Sequence, residues 1–215
     1  MSAHPRPPAP ALTARQAARR DRILAASTEL ACGGGFDAVQ MREVAELSDV
    51  ALGTLYRYFP SKIHLLVAVM EDQLGQLQSA LRTRPPTAPD PGTRVADTLL
   101  RAFRALQREP LLADAMFRAM IFADRSVRAQ VDTASRLTTS IIVEAMGRPG
   151  AAEAEAEAAG SVAAAEPPEA LLSAVRVIGH TWHAALVGWI SGRTSVAEVT
   201  EDIRTVCGLL DTATA

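Results

Sequence analysis

Two short helical patterns lie side by side between residues 41 and 59, and they constrain the fold more than any other part of the sequence. The first covers about Met41 to Leu47 and the second about Leu52 to Phe59, with the tight turn Ser48-Asp49-Val50 between them. Pro60 ends the second pattern because proline cannot continue a helix. Two short helices joined by a turn of three or four residues are typical of a helix–turn–helix unit.

The remaining sequence predicts an all-α fold of about nine helices. Hydrophobic residues make up 48% of the 215 residues and aromatic residues only 4%, and the helix formers alanine and leucine dominate. The first helix is expected to begin near Thr13 and to end at Gly33-Gly34-Gly35, since glycine commonly follows a helix C-terminus. The other six helices are predicted at about 62–81, 93–108, 110–122, 124–147, 169–192 and 196–210.

The helical patterns divide the chain into two domains. Residues 13–60 are predicted to form a three-helix helix–turn–helix domain, and residues 61–215 a helical domain for ligand binding and dimerisation. The proline-rich residues 1–12 are expected to be a disordered arm. Residues 148–168 are rich in alanine and glutamate with glycine and proline at the ends, which predicts a flexible spacer.

Composition and charge argue for a cytoplasmic, non-enzymatic protein. The net charge is −2, but residues 1–62 carry 8 basic and 6 acidic residues, a net +2 at the end where the helix–turn–helix pattern lies. Two distant cysteines fit a reducing compartment, and neither a secretory leader nor a membrane-spanning run is visible. No set of catalytic residues is visible, and His180 and His183 lack the further ligand that a metal site needs, so no cofactor or metal is predicted.

The second short helix has the properties of a DNA recognition helix. Leu55 and Phe59 are spaced to anchor one face, which leaves a polar face for an external partner. Gly53 would let DNA approach the backbone closely, and Thr54 and the tyrosines carry hydroxyl groups that can reach phosphates or base edges. An α-hairpin with solvated tyrosines is the alternative that the spacing leaves open.

The same segment carries a family resemblance. The sequence from Val50 to Lys62, VALGTLYRYFPSK, resembles the N-terminal domain of TetR-family regulators. The resemblance implies that Leu52, Thr54 and Tyr56 face bases, and that Tyr58 and Lys62 hold phosphates. Two positions depart from the family pattern. Gln40 stands where the family has a capping Thr or Ser, and Asp49 stands where glycine is common. The DNA-contacting residues predicted in all are Gln40, Arg42, Leu52, Gly53, Thr54, Tyr56, Tyr58 and Lys62.

Three further segments are similar to the KstR branch of the family, whose members repress genes of cholesterol and steroid catabolism in actinobacteria. They are Val39-Gln40-Met41-Arg42, the sequence PLLADAM at residues 110–116, and Phe122-Ala123-Asp124. The resemblance implies double-stranded operator DNA as a partner and a repressor that an apolar effector, a steroid or an acyl-CoA thioester, releases from DNA.

Apolar faces in the middle helices suggest where such an effector would bind. Methionines among them suit a flexible apolar ligand, and an ordinary core is the alternative that the same faces leave open. The predicted pocket residues are Phe103, Met116, Phe117, Met120, Ile141 and Trp182. Arg118, Arg125 and Arg128 are candidate cations for a CoA group, or solvated surface residues.

The last two helices are predicted to form a homodimer interface, as they do in TetR-like proteins. The predicted contacts are Trp189, Val199, Ile203, Val206 and Leu210. A dimer would place two recognition helices in successive major grooves, about 34 Å apart. The alternative is that these residues close the core of a single chain. Two other functions stay open: a TetR-like sensor of fatty acyl-CoA or a drug-like ligand, and a helical dimerisation module without DNA binding.

Overall fold

The computed structural model describes residues 13–147 and 169–213, and every regular element within them is helical, which confirms the predicted all-α fold. The helices are α1 Ala14–Ala38, α2 Met41–Leu47, α3 Leu52–Tyr58, α4 Lys62–Thr83, α5 Pro91–Arg108, α6 Pro110–Ile121, α7 Arg128–Met146, α8 Glu169–Ile190 and α9 Val196–Ala213. Within these ranges, no helix combines the length and apolarity needed to cross a membrane. The predicted arm at 1–12 and spacer at 148–168 lie outside the described residues.

Helix α1 begins as predicted but ends later than the glycines suggested. Thr13 caps it, because its hydroxyl accepts from the backbone N–H of Gln16 while the side-chain oxygen of Gln16 accepts from the backbone N–H of Thr13 at 2.8 Å. Gly34 and Gly35 leave helical geometry, yet the chain then makes another helical turn up to Ala38. The prediction that the glycines end the helix is therefore wrong: they bend it, and the final turn packs against α6.

Helix α7 also begins later than predicted. The expected single helix from residue 124 is replaced at its start by the 3₁₀ turn Arg125–Val127. Asp124 holds this turn because its carboxylate accepts from the Ser126 N–H at 2.8 Å and from the Ser126 hydroxyl at 2.6 Å.

Two apolar clusters hold the helices together. One joins α1–α4 to α6 and includes the fully buried Ile23, Leu55 and Leu65. The other joins α5, α7, α8 and α9 around Phe103 and Leu186. Because most buried residues of α6 belong to the first cluster, the helix–turn–helix segment shares its core with α6.

The apolar stripe of α9 lies in the second cluster, not on the surface. Its four members are at most 9% exposed within a single chain; they are Val199, Ile203, Val206 and Leu210. They pack toward α5 and α8. Trp189 is half-buried and its ring meets Phe103 edge-on at 5.1 Å. Because side chains covered by their own chain have almost no surface left for a partner, the homodimer proposed below uses the outward sides of α8 and α9.

A conservative core substitution would test this placement of α9. Ile203→Val is expected to lower the free energy of unfolding by about 1 kcal/mol, since it removes one buried methyl group and leaves a small void. Urea unfolding followed by circular dichroism would measure it. The matched control is Ile121→Val, at a side chain that is 58% exposed, which should change stability by less than about 0.5 kcal/mol. Equal effects at both positions would contradict the burial of Ile203.

Candidate functional site

The turn between α2 and α3 is held by hydrogen bonds at both ends. The Ser48 hydroxyl donates to the Val44 carbonyl at 2.6 Å, and the Val50 N–H donates to the Ala45 carbonyl at 3.0 Å. Asp49 adopts a φ of 52°, in the left-handed region that aspartate tolerates better than most residues. The aspartate at this position is therefore compatible with the turn.

Helix α3 has one buried face and one open face. Leu55 and Phe59 are buried in the first cluster with residues of α1 and α2. On the other side Tyr56 is 46% exposed, and Leu52 and Thr54 are half-buried. A Cβ atom built at Gly53 would meet nothing within 4 Å, so packing inside the chain does not require glycine there. An external partner that approaches the backbone would give a reason for it.

The other predicted DNA contacts border this face, and some already have partners within the chain. The Tyr58 hydroxyl donates to the Gln16 carbonyl at 3.4 Å. Gln40 is the N-cap residue of α2 without a side-chain capping bond, and its amide group donates to the Asp37 carbonyl at 2.7 Å. Arg42 is exposed on α2 and forms no ion pair with any residue of the described ranges.

Lys62 is the first residue of α4, directly after the Ser61 N-cap. Its ammonium lies 4.0 Å from the centre of the Phe36 ring, and the guanidinium of Arg118 lies 4.7 Å from the same centre. Partial burial lowers the pKa of the Lys62 ammonium, while the charge of Asp37 raises it. At the start of a helix the free N–H groups and the dipole also favour an anion.

A cavity of about 750 Å³ opens between α4, α5, α6, α7 and α8. This volume falls within the usual range for small-molecule sites, roughly 300–1,000 Å³. The walls are mostly apolar. Five of the six predicted pocket residues contribute to the walls: Met116, Phe117, Met120, Ile141 and Trp182. Phe103 does not, because it lies in the core beside Trp189.

Charged and polar side chains line part of the cavity. Arg108 and Glu109 come from the α5–α6 junction, and Arg176, His180 and His183 lie along one face of α8. Burial lowers the pKa of His183, and the nearby His180 lowers it further, so His183 favours the neutral form.

The arginines predicted to pair with a CoA group, Arg118, Arg125 and Arg128, lie outside the cavity wall. Arg118 pairs with Asp37 and Asp114, at 3.4 and 3.6 Å, and the exposed Arg128 lies 3.7 Å from Asp132. Neither lines the cavity, and nor does Arg125. One feature of the sequence could have indicated that Arg176 lines the cavity: it shares a helical face with His180 and His183 in an otherwise apolar segment.

Family models match most of the chain. The model described as "Bacterial regulatory proteins, tetR family" matches residues 23–69, which contain α2, α3 and the start of α4. The model described as "Tetracyclin repressor-like, C-terminal domain" matches residues 89–210, which contain α5 to α8, four of the five helices that line the cavity. The second match alone covers more than half of the chain.

Individual relatives agree with the family models. The chain is 40% identical to the HTH-type transcriptional repressor KstR of Rhodococcus jostii, over 91% of this chain and 84% of that protein. A crystal structure of a TetR transcriptional regulator from Rhodococcus sp. RHA1 is 35% identical, with a TM-score of 0.78 over 91% of this chain and 97% of that one. Thermus thermophilus FadR, solved with lauroyl-CoA, shares the fold at 20% identity, with a TM-score of 0.65 over 89% and 92% of the two chains.

Proposed function

The chain belongs to the TetR family of bacterial transcriptional regulators, a family of DNA-binding regulators and not of enzymes, and we propose that it is a homodimeric repressor of lipid or steroid catabolism genes. An apolar effector that carries an acidic group would release it from operator DNA. The observation that carries the proposal is the large apolar cavity with arginines in its wall, in a chain 40% identical to a named KstR repressor.

In this proposal the open face of α3 enters the major groove. Leu52, Thr54 and Tyr56 would meet base edges, with Gly53 allowing close approach of the backbone. The surrounding polar and charged residues would hold phosphates, which fixes the orientation of the protein on the duplex. These surrounding residues are Gln40, Arg42, Tyr58 and Lys62. Residues 13–60, together with Lys62 at the start of α4, would thus supply the DNA contacts, and the rest of residues 61–215 would supply the effector site and the dimer.

The effector would place its apolar body among the methionines and aromatic residues of the cavity. Its acidic group, a carboxylate or the phosphates of a CoA thioester, would pair with Arg108 and Arg176. A steroid acid or its CoA thioester fits this chemistry, and the FadR relative was solved with an acyl-CoA. A fatty acyl-CoA is therefore the second candidate effector.

The proposed homodimer would use the sides of α8 and α9 that face away from the core. Val177 on α8 is 50% exposed and Leu209 on α9 is 60% exposed, so both offer apolar surface that the single chain does not cover. A two-fold dimer through these sides would present two copies of α3 to one face of the DNA.

Release would follow from a shift between two arrangements of the chain. Helix α4 runs over 22 residues from Lys62 to Thr83. It connects Lys62, beside the recognition helix, to Leu74 and Leu77 in the cavity wall, a distance of about 24 Å along the helix to Leu77. An effector that fits the cavity better when α4 is tilted would favour the form that binds DNA poorly. The effector must then bind less tightly to the DNA complex than to the free protein.

A thermal-shift titration against steroid CoA thioesters, free steroid acids and long-chain acyl-CoAs tests the proposal. A ligand that binds the folded state increases the free energy of unfolding, by about 2.7 kcal/mol when its concentration is 100 times its Kd, and so raises the unfolding midpoint. Stabilisation by the steroid compounds, together with their release of a bound DNA duplex, would support the steroid assignment. A response to acyl-CoAs alone would favour the second effector. Stabilisation without any release of DNA would reject the mechanism.

Removing the cavity arginines should weaken acidic ligands selectively. Arg108→Gln and Arg176→Gln are each expected to raise the Kd of an acidic ligand about tenfold, because a hydrogen-bonded charge pair contributes roughly 1.5 kcal/mol. A neutral steroid should bind as before. Calorimetry or the thermal-shift series would measure both. Arg104→Gln is the matched control, because this exposed arginine of α5 does not line the cavity. An equal loss for neutral and acidic ligands would contradict the assignment.

A further inference from the structure

The last turn of α1 is redirected at Gly35, whose φ of +67° is a conformation that other residues adopt only with strain. The redirected turn carries Phe36 and Asp37 against α6, and Leu111 and Asp114 of α6 lie close to Gly35. The two residues that follow the glycine therefore lie at the junction between the DNA-binding helices and the wall of the cavity.

Phe36 is the centre of a stack of charged and aromatic groups at this junction. The Lys62 ammonium and the Arg118 guanidinium lie 4.0 and 4.7 Å from its ring centre, within the range of cation–π attraction. The Phe122 ring lies tilted at 5.8 Å. The ring thus connects α4, which begins with Lys62, to α6, which carries Arg118.

The two cations of the stack differ in how their charge is balanced. Arg118 pairs with Asp37 at 3.4 Å and with Asp114 at 3.6 Å. Lys62 forms no ion pair within 4 Å among the residues that the structure describes. Its ammonium is partly buried against the ring, so part of its water shell is already removed and its side chain is restricted. Both costs would otherwise be incurred when it binds an external anion.

Helix α6 connects this stack to the cavity. Met116 and Met120 line the cavity, and Arg118 lies between them in sequence, on the other side of the helix. A displacement of α6 by a ligand against its methionines would therefore move Arg118 and, through Phe36, the Lys62 ammonium.

We propose that Phe36 and Arg118 are positioning residues that hold the Lys62 ammonium for a phosphate of the operator and tie it to α6. The inference rests on the proposed function, because it takes operator DNA as the partner of Lys62. It assigns a DNA-binding role to a residue of α6 that does not itself need to touch DNA.

A double-mutant cycle between Phe36 and Lys62 tests the inference. The DNA is a duplex of about 30 base pairs, long enough for two half-sites, selected with this protein from a random library. Affinity would be measured by fluorescence anisotropy over a series of salt concentrations. Lys62→Ala is expected to raise the Kd about tenfold and to reduce the salt slope by about two, because it removes one phosphate contact from each protomer of the dimer.

Phe36→Leu keeps an apolar side chain but removes the aromatic face, and is expected to raise the Kd about fivefold with a smaller salt slope. Phe36→Tyr keeps the aromatic face and should retain clearly more affinity than the leucine variant. In the Phe36→Leu background, Lys62→Ala should cost much less than its tenfold effect in the parent. Arg118→Gln, at a side chain that is 38% exposed, provides a second variant that leaves the Phe36 side chain itself unchanged.

Additive losses in the cycle would overturn the inference, because Phe36 would then act independently of Lys62. An unchanged salt slope in both Phe36→Leu and Arg118→Gln would overturn it too. If Lys62→Ala binds as the parent does while Tyr56→Ala fails to bind, the inference falls and the operator-binding function stands. If the parent protein selects no duplex at all, the proposed function itself fails.

Discussion

Replacing Tyr56 and Lys62 together with alanine is expected to weaken operator binding about 100-fold or more while the dimer persists. Tyr56 lies on the open face of α3 with 46% of its surface exposed. A good base contact contributes roughly 1–3 kcal/mol of discrimination, and a phosphate contact adds a salt-dependent term. Neither side chain belongs to the buried core. Fluorescence anisotropy with the selected duplex would measure the affinity, and sedimentation would measure the mass.

The control for this double variant is Arg128→Ala, at an exposed arginine of α7 well outside α2–α4 in the sequence. It should bind the duplex as the parent protein does. The thermal midpoint of the double variant should stay close to that of the parent, because surface substitutions usually change stability by less than about 0.5 kcal/mol. Equal DNA binding by the double variant and the parent would remove the proposed recognition site.

Helix positions were largely predictable because the apolar periodicity and the end signals agree along most of the chain. Ser61 caps α4 and Pro110 begins α6, so both boundaries follow from local chemistry. The glycines at 33–35 misled the prediction for α1. Glycine favours both a helix end and a bend, so the local sequence does not decide between them. In the structure the turn after the bend contacts α6, where the Arg118 guanidinium lies over the Phe36 ring.

The stripe on α9 shows what periodicity alone leaves undetermined. Apolar residues at helical spacing predict that one face is covered, but not whether the cover comes from the same chain or from a partner. In the structure α5 and α8 cover the stripe, and even its most exposed member, Val206, is only 9% exposed. The surface left for a partner, around Val177 and Leu209, is less regular in sequence and gave no comparable signal.

The cavity was predictable in composition but not in outline. Apolar faces on α5, α6 and α7 indicated three of the five helices that surround it, and the methionines of α6 lie in its wall. Phe103 shares the apolar side of α5 with cavity residues, yet its ring points into the core toward Trp189. The arginines of the wall come from elements distant in sequence, Arg108 at the end of α5 and Arg176 on α8, so only the tertiary fold brings them together.

Filling the cavity should separate effector binding from DNA binding. Ala102 of α5 is half-buried in the cavity wall, and Ala102→Trp would place an indole ring in the space that the effector needs. To bind, the effector would have to displace the indole ring or overpack the cavity. Overpacking costs roughly 1–3 kcal/mol, so effector affinity is expected to fall up to about 100-fold. The variant should still bind the operator duplex, but the effector should no longer release it at concentrations that release the parent. Anisotropy titrations with and without the effector would measure both properties.

Ala129→Trp is the matched control, because it makes the same change at an exposed residue of α7 that does not line the cavity. This control should respond to the effector as the parent does, and the unliganded midpoints of both variants would reveal any general loss of stability. Loss of effector response with intact DNA binding would assign the response to the cavity, since α3 is unchanged. Normal release of Ala102→Trp by the effector would instead mean that the ligand acts outside this cavity, and the role given to Arg108 and Arg176 would fall with it.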